Sequence, residues 1–170
     1  ALALRNEALD ILRKKPNTAL VITGDFNEDI DGPCITQALK ALPKRDDVKD
    51  TSGAQMAFYN LIGDIPEKAR GSYYYARRKV WNTFDDIIVP PSMLIPLDKP
   101  GPSWRAPGAN SNATKTFVLP EMREADDGRP KAFRRVRIKD KPANYYVEGY
   151  ADHFPVMTVL ERAPLPAQTK

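Results

Sequence analysis

Ala19-Leu20-Val21-Ile22-Thr23-Gly24-Asp25-Phe26-Asn27 is the stretch on which the fold turns. Five residues that are almost all apolar run straight into an abrupt polar turn. A short continuous apolar run of this kind predicts a strand buried on both faces. Gly24 lets the backbone bend sharply or pass close to a ligand. If extended geometry persists, Asp25 and Asn27 share one face of the strand. One supplies negative charge and proton acceptance, the other a neutral donor that can hold a phosphate oxygen. The plainer alternative for Gly24 to Asp29 is an Asx turn with a helix cap.

Upstream, Leu4, Ala8, Leu9, Ile11 and Leu12 recur at helical spacing and predict an amphipathic helix over Leu2–Lys14, stopped by Pro16 and Asn17. Downstream, Cys34 to Leu42 reads as a second short helix with Pro33 at its first turn. Met56 to Ile62 fits either a helical turn or a strand. Ser72–Tyr75, a turn at Arg77-Arg78-Lys79 and a return over Val80–Val89 predict a hairpin ended by Pro90-Pro91. Residues 96 to 115 read as a long loop, Ala132–Lys139 and Tyr145–Tyr150 as extended, Phe154–Leu160 as the last core strand, and 163–170 as a tail. No repeat or clean linker divides the chain, so residues 1–162 form one domain unit.

Composition narrows the classes. Sixteen prolines in 170 residues exclude a long helical bundle or coiled coil. A single cysteine excludes an internal disulfide and a cysteine-based zinc site. No apolar run approaches the roughly 20 residues that span a bilayer. The net charge of +4 is compatible with an anionic substrate without specifying nucleic acid. Residue 1 is Ala and no signal peptide is visible, so no compartment is read.

Two further polar clusters interrupt or precede apolar strands. In Trp81–Val89, Asp85 and Asp86 are adjacent, so their side chains point to opposite faces. One can be solvated while the other faces inward, where an unpaired charge is costly. The alternative is an edge strand with both groups in water. Near the C-terminus, Ala151-Asp152-His153-Phe154 contains the only histidine of the chain. His153 has the chemistry of an acid or phosphate donor, with the neighbouring Asp152 suited to a metal. A packed or surface histidine is the alternative. No Ser lies in a Gly-x-Ser-x-Gly turn, and no His pair exists for a zinc hydrolase.

The order of these clusters carries more than any one of them. Gly-Asp-Phe-Asn closing a strand, then Asp before Ile-Ile-Val, then Asp-His-Phe-Pro-Val resembles the endonuclease/exonuclease/phosphatase superfamily over about Arg5 to Leu160. The resemblance implies an α/β (α+β) fold, a four-layer β-sandwich flanked by helices. This chain is expected to supply about half of it, as the C-terminal part of the domain. The family's N-terminal half brings an Asn, a metal-binding Glu and a further His, none of which can be placed here. A fragment, a truncated product or one half of an assembly is therefore expected, with a missing N-terminal half or a second copy completing the fold.

The same resemblance implies metal-dependent hydrolysis of a phosphodiester or phosphomonoester by activated water. Asp25 orients or deprotonates the water, Asn27 holds the scissile phosphate, and His153 donates to a phosphate oxygen. Asp85 holds the His153 imidazole in one tautomer, and Asp152 contributes to a site for Mg2+ or Mn2+. Two positions depart from the family pattern: Ala151, where Ser or Thr is common, and Asp86, where Tyr, His or Gln is usual. Asp85 is favoured over Asp86 as the partner of His153 because residues 85, 87 and 89 share a face. A binding or scaffold module without activity is the alternative.

Nucleic acid is one candidate substrate. Arg123, Arg129, Lys131, Arg134, Arg135, Arg137, Lys139 and Lys141 form a basic run, with Arg77, Arg78 and Lys79 as a second group. Tyr73–Tyr75, Trp81 and Trp104 are aromatic enough to stack on bases. Interleaved Glu124, Asp126, Asp127 and Asp140 favour a solvated insertion instead. A small phosphoester is equally compatible.

Overall fold

A computed structural model describes residues 1–49, 52–109, 111–139 and 141–164, without side-chain placement at 135–138 and 141–147. Arg135, Arg137, Lys141 and Asp140 of the charged run, and the tail beyond 164, therefore lie outside what can be described in atomic detail. No helix among the described residues is long and apolar enough to cross a membrane.

Helix α1 spans Leu2–Lys14, with Arg13 and Lys14 in its last turn, as the periodicity predicts. It packs through Ala8 and Leu12, while Leu2 and Leu4 stay exposed. Between those apolar contacts the helix also buries Arg5. Its guanidinium donates to the carbonyls of Leu39, Ala54 and Met56 at 2.9, 3.0 and 2.7 Å. A buried cation persists only when its donors find acceptors, and three backbone oxygens meet that demand.

The helix covers one face of a four-stranded sheet ordered β1-β6-β3-β2, built from β1 (Ile22–Asp25), β2 (Ala41–Leu42), β3 (Phe58–Asn60) and β6 (Asp85–Val89). Strand β6 runs antiparallel to both β1 and β3, and β2 pairs parallel with β3. Alternation along the central strands splits the core. Ile22, Phe58 and Ile88 face α1 together with Ile35 and Leu39. Tyr59, Ile87 and Val89 face Leu61, Ile62, Ile65 and Met93 on the other side.

Several expectations need correction. Strand β1 lies at a sheet edge rather than buried on both faces: Ile22 is buried but Thr23, Gly24 and Asp25 are exposed. The helix predicted to Leu42 is a π-helix over Cys34–Leu39. It stops when Lys40 turns left-handed at φ 55°, releasing Ala41 and Leu42 to pair with β3. The strand predicted over Phe154–Leu160 shrinks to Val156–Met157, because Phe154 pairs its backbone with Ser72.

The remaining strands form two-stranded ribbons. The hairpin joins β4 (Tyr73–Tyr75) to β5 (Val80–Asn82) through the basic turn, but its return stops at Asn82 instead of running to Val89, because Asp85–Val89 pairs with β1 and β3 in the central sheet. Within the expected 96–115 loop and just beyond it, β7 (Trp104–Arg105) and β8 (Lys115–Thr116) form. They pair with β12 (Glu161–Arg162) and β11 (Val156–Met157). Strands β9 (Arg134–Ile138) and β10 (Lys141–Glu148) make the last ribbon. At its end Gly149 sits at φ 77°, where a Cβ would lie 2.1 Å from the Ala132 carbonyl oxygen. No residue but glycine fits that close approach. The next residue, Tyr150, donates its N–H to the Lys131 oxygen at 2.8 Å, which anchors the segment leading to His153.

Candidate active site

The β1–β6 ladder sets one pair of acidic residues face to face. Asp25 lies directly opposite Asp85, and Gly24 opposite Asp86. Two carboxylates face to face across an antiparallel pair repel each other unless a positive group joins them. No lysine or arginine among the described residues forms an ion pair with either one. His153 reaches them instead, its Nδ1 lying 2.7 Å from Asp85 Oδ2. Ligand atoms of Asp25, Asp85 and His153 all fall within 4.8 Å of one another.

The His153 ring is held on three sides. Its backbone bridges to Tyr73, and the Phe154 N–H donates to the Ser72 oxygen at 2.7 Å. The Tyr73 ring lies 4.9 Å from the imidazole and 5.4 Å from Phe84, whose centroid is 6.3 Å from the imidazole. With Asp85 ionised, Nδ1–H donates to the carboxylate, which fixes the tautomer and leaves Nε2 as the nitrogen available for other partners.

Asp25 is followed by a turn rather than by continued strand. Asn27 adopts φ 53°, and its N–H donates to Asp25 Oδ1 at 2.9 Å. The strand alternation therefore does not carry through, and the Asx turn weighed as the plainer reading is present. Asn tolerates the left-handed region better than most residues. The Asn27 side chain remains exposed two residues from Asp25. Beyond it, Asp29 accepts from the Thr83 N–H at 2.6 Å and from Asn82 Nδ2 at 2.7 Å, tying this loop to the β5–β6 junction.

Asp86 is the inward member of the adjacent pair. It is fully buried, and neither carboxyl oxygen has a hydrogen-bond partner. Burial pushes its pKa up to about 7, opposed by the neighbouring Asn60 amide and reinforced by Asp85 and Asp29. The Asn60 Nδ2 is itself unpartnered, close enough to favour the charge but outside bonding geometry. A buried carboxyl without a partner answers its desolvation by holding a proton.

Of the residues singled out in the sequence, Asp25, Asp85 and His153 converge, with Asn27 tied to Asp25 by its backbone. Asp152 is exposed and outside the 4.8 Å cluster. Phe84 and Asp29 were not singled out for these jobs. An aromatic directly before Asp85 and a third acid after Gly24 were the only signals available. In the basic run, Arg134 pairs with Glu148 at 3.0 Å and Glu124 at 3.2 Å, consistent with a partly self-neutralised ribbon.

The donor set suits a hard divalent cation. Two carboxylates from adjacent strands offer oxygen ligands, and their mutual repulsion is what such an ion relieves. Comparison with known proteins agrees with this chemistry at family level. The family model described as "Endonuclease/Exonuclease/phosphatase family" matches residues 1–162. No curated protein and no solved structure matches the chain. With in-register carboxylates, a carboxylate-bound histidine and a match over nearly its whole length, the chain belongs to the endonuclease/exonuclease/phosphatase family.

Proposed function

We propose that the chain hydrolyses a phosphoester by direct attack of water, using Asp25, Asn27, Asp85 and His153. The observation that carries this reading is the 2.7 Å Asp85–His153 contact set directly beside Asp25. Phosphoester hydrolysis forms one bond from water oxygen to phosphorus and breaks the bond to the leaving oxygen. Asp25 orients the water and takes its proton. Asn27 holds a non-bridging phosphoryl oxygen through its exposed amide. His153, protonated on both nitrogens when it donates, gives Nδ1–H to Asp85 and Nε2–H to the phosphoryl oxygen as charge develops there.

Asp25 and Asp85 are the residues that would hold Mg2+ or Mn2+; Asp152, on the segment carrying His153, lies outside their cluster. A bound divalent ion supplies Lewis-acid polarisation of the phosphoryl oxygen and offsets the acidic cluster that would otherwise repel an anionic substrate. The protein's own task is positioning and water activation, each worth several kcal/mol of barrier.

Turnover of bis(p-nitrophenyl) phosphate and of p-nitrophenyl phosphate, with Mg2+ or Mn2+ and with EDTA, tests the reading and separates diester from monoester preference. Metal-dependent release of nitrophenol, lowered at least about 100-fold in His153→Ala, is expected. Metal-independent turnover, turnover unchanged in the variant, or none with either ion overturns it.

A further inference from the structure

The β4–β5 hairpin is two-faced. Tyr73 and Asn82 are cross-strand partners, as are Tyr74 and Trp81. Because side chains alternate, Tyr73 turns toward His153 while Tyr74 and Trp81 turn away from it. Trp81 meets Tyr74 with centroids 5.1 Å apart and stacks on Phe154 at 5.8 Å. The adjacent residues His153 and Phe154 thus serve opposite sides of one partition.

A cavity of about 590 Å³ lies on the Trp81 side, lined by Lys68, Lys115, Arg123, Trp81, Phe117 and Phe154 among others. Lys68, Lys115 and Arg123 make no ion pair among the described residues. A fourth cation of the lining, Arg70, is already engaged by the carbonyls of Ile65 and Gly63 at 2.7 and 2.9 Å. The carboxylate of the lining, Asp127, lies 3.6 Å from Arg129. Three cations without ion-pair partners border an aromatic surface that is not closed over, since Trp81 is 41% exposed. Cations recognise a phosphate by charge-assisted hydrogen bonds, and aromatic rings recognise a planar group by stacking.

We propose that this cavity is a second anion site, separate from the catalytic cluster, which takes a phosphomonoester joined to a planar ring, as in a nucleoside monophosphate. The proposal does not depend on the hydrolytic reading, because it concerns binding on the far side of the hairpin. Trp81 is its own reporter: with Trp104→Phe, it is the only tryptophan left.

The experiment titrates this single-tryptophan protein in EDTA with AMP, adenosine and inorganic phosphate while following fluorescence. A saturable change with AMP is expected, at least tenfold tighter than with either component alone. Lys115→Gln combined with Arg123→Gln is expected to weaken AMP at least tenfold, since each removes a charge-assisted contact. His153→Ala is expected to leave AMP binding in place. Absence of a saturable response, affinity unchanged in the double variant, AMP no tighter than inorganic phosphate, or loss of binding in His153→Ala would overturn the proposal. Circular dichroism of each exposed-residue variant checks that the fold is retained. Failure of hydrolysis with AMP binding intact would count against the catalytic reading only.

Discussion

At the scale of single residues, two adjacent aspartates have opposite fates because a strand alternates. Asp85 meets an imidazole and stays at the site; Asp86 meets the core and finds no donor. Asp85→Asn keeps the shape but removes the charge that His153 leans on, so kcat should fall about 100-fold with little change in KM. Equal turnover would detach Asp85 from the chemistry. Asp86 has its folded pKa raised to about 7 from a usual value of 3.8, so the folded state holds the proton more tightly than the unfolded state. Its contribution is fully present below the unfolded value and is lost as pH rises through the folded one. Stability should therefore decline between about pH 4 and pH 7 and level off above. Asp86→Asn removes the ionisation penalty. It should raise Tm at pH 8 by several degrees and flatten the decline, measured by thermal melts across that range. The inward carboxylate was legible from the Asp-Asp pair inside an apolar strand. Its lack of a partner was not, because nothing in the sequence shows that Gly24, which has no side chain to offer, lies opposite it.

At the scale of elements, the signals that read true were local ones. Helix α1 follows from 3.6-residue spacing with a proline stop, and the turn of the hairpin follows from aromatic runs flanking basic residues, although its return strand ends at Asn82 and not at Val89. Elements decided by distant partners read poorly. Phe154–Leu160 looks like one long core strand, yet its backbone pairing is divided among Ser72, β8 and Ala113, so only the two-residue strand Val156–Met157 survives. Cys34–Leu42 looks wholly helical, yet its last two residues belong to the sheet. The hairpin also positions His153. Tyr73 packs on the imidazole without a hydrogen bond to it, so Tyr73→Phe should retain activity while Tyr73→Ala lowers kcat about tenfold or more, with KM less affected. A Phe variant as impaired as the Ala variant would mean that the hydroxyl, not the ring, does the work.

At the scale of the whole molecule, one sheet with a core on each face sets the site at its polar end. The family was legible, because three motifs in a fixed order point to it even when each alone is ambiguous, and so was the meeting of Asp25, Asp85 and His153. The mechanism of assembly was not: the interleaving of β6 between β1 and β3 is a long-range fact that no local pattern encodes. The same holds for Arg5, a helical cation whose burial only the folded contacts reveal. Arg5→Met should cost about 2–4 kcal/mol in urea unfolding, because three carbonyls lose a charged donor and at least one of them is buried.

Gly149 shows how far such dependence extends. The Ala132 oxygen occupies the space a methyl group would need, and the chain from there leads within four residues to the only imidazole in the protein. Random mutagenesis screened for lost turnover should therefore score substitutions at this codon beside those of the aspartates, though it lies outside their cluster.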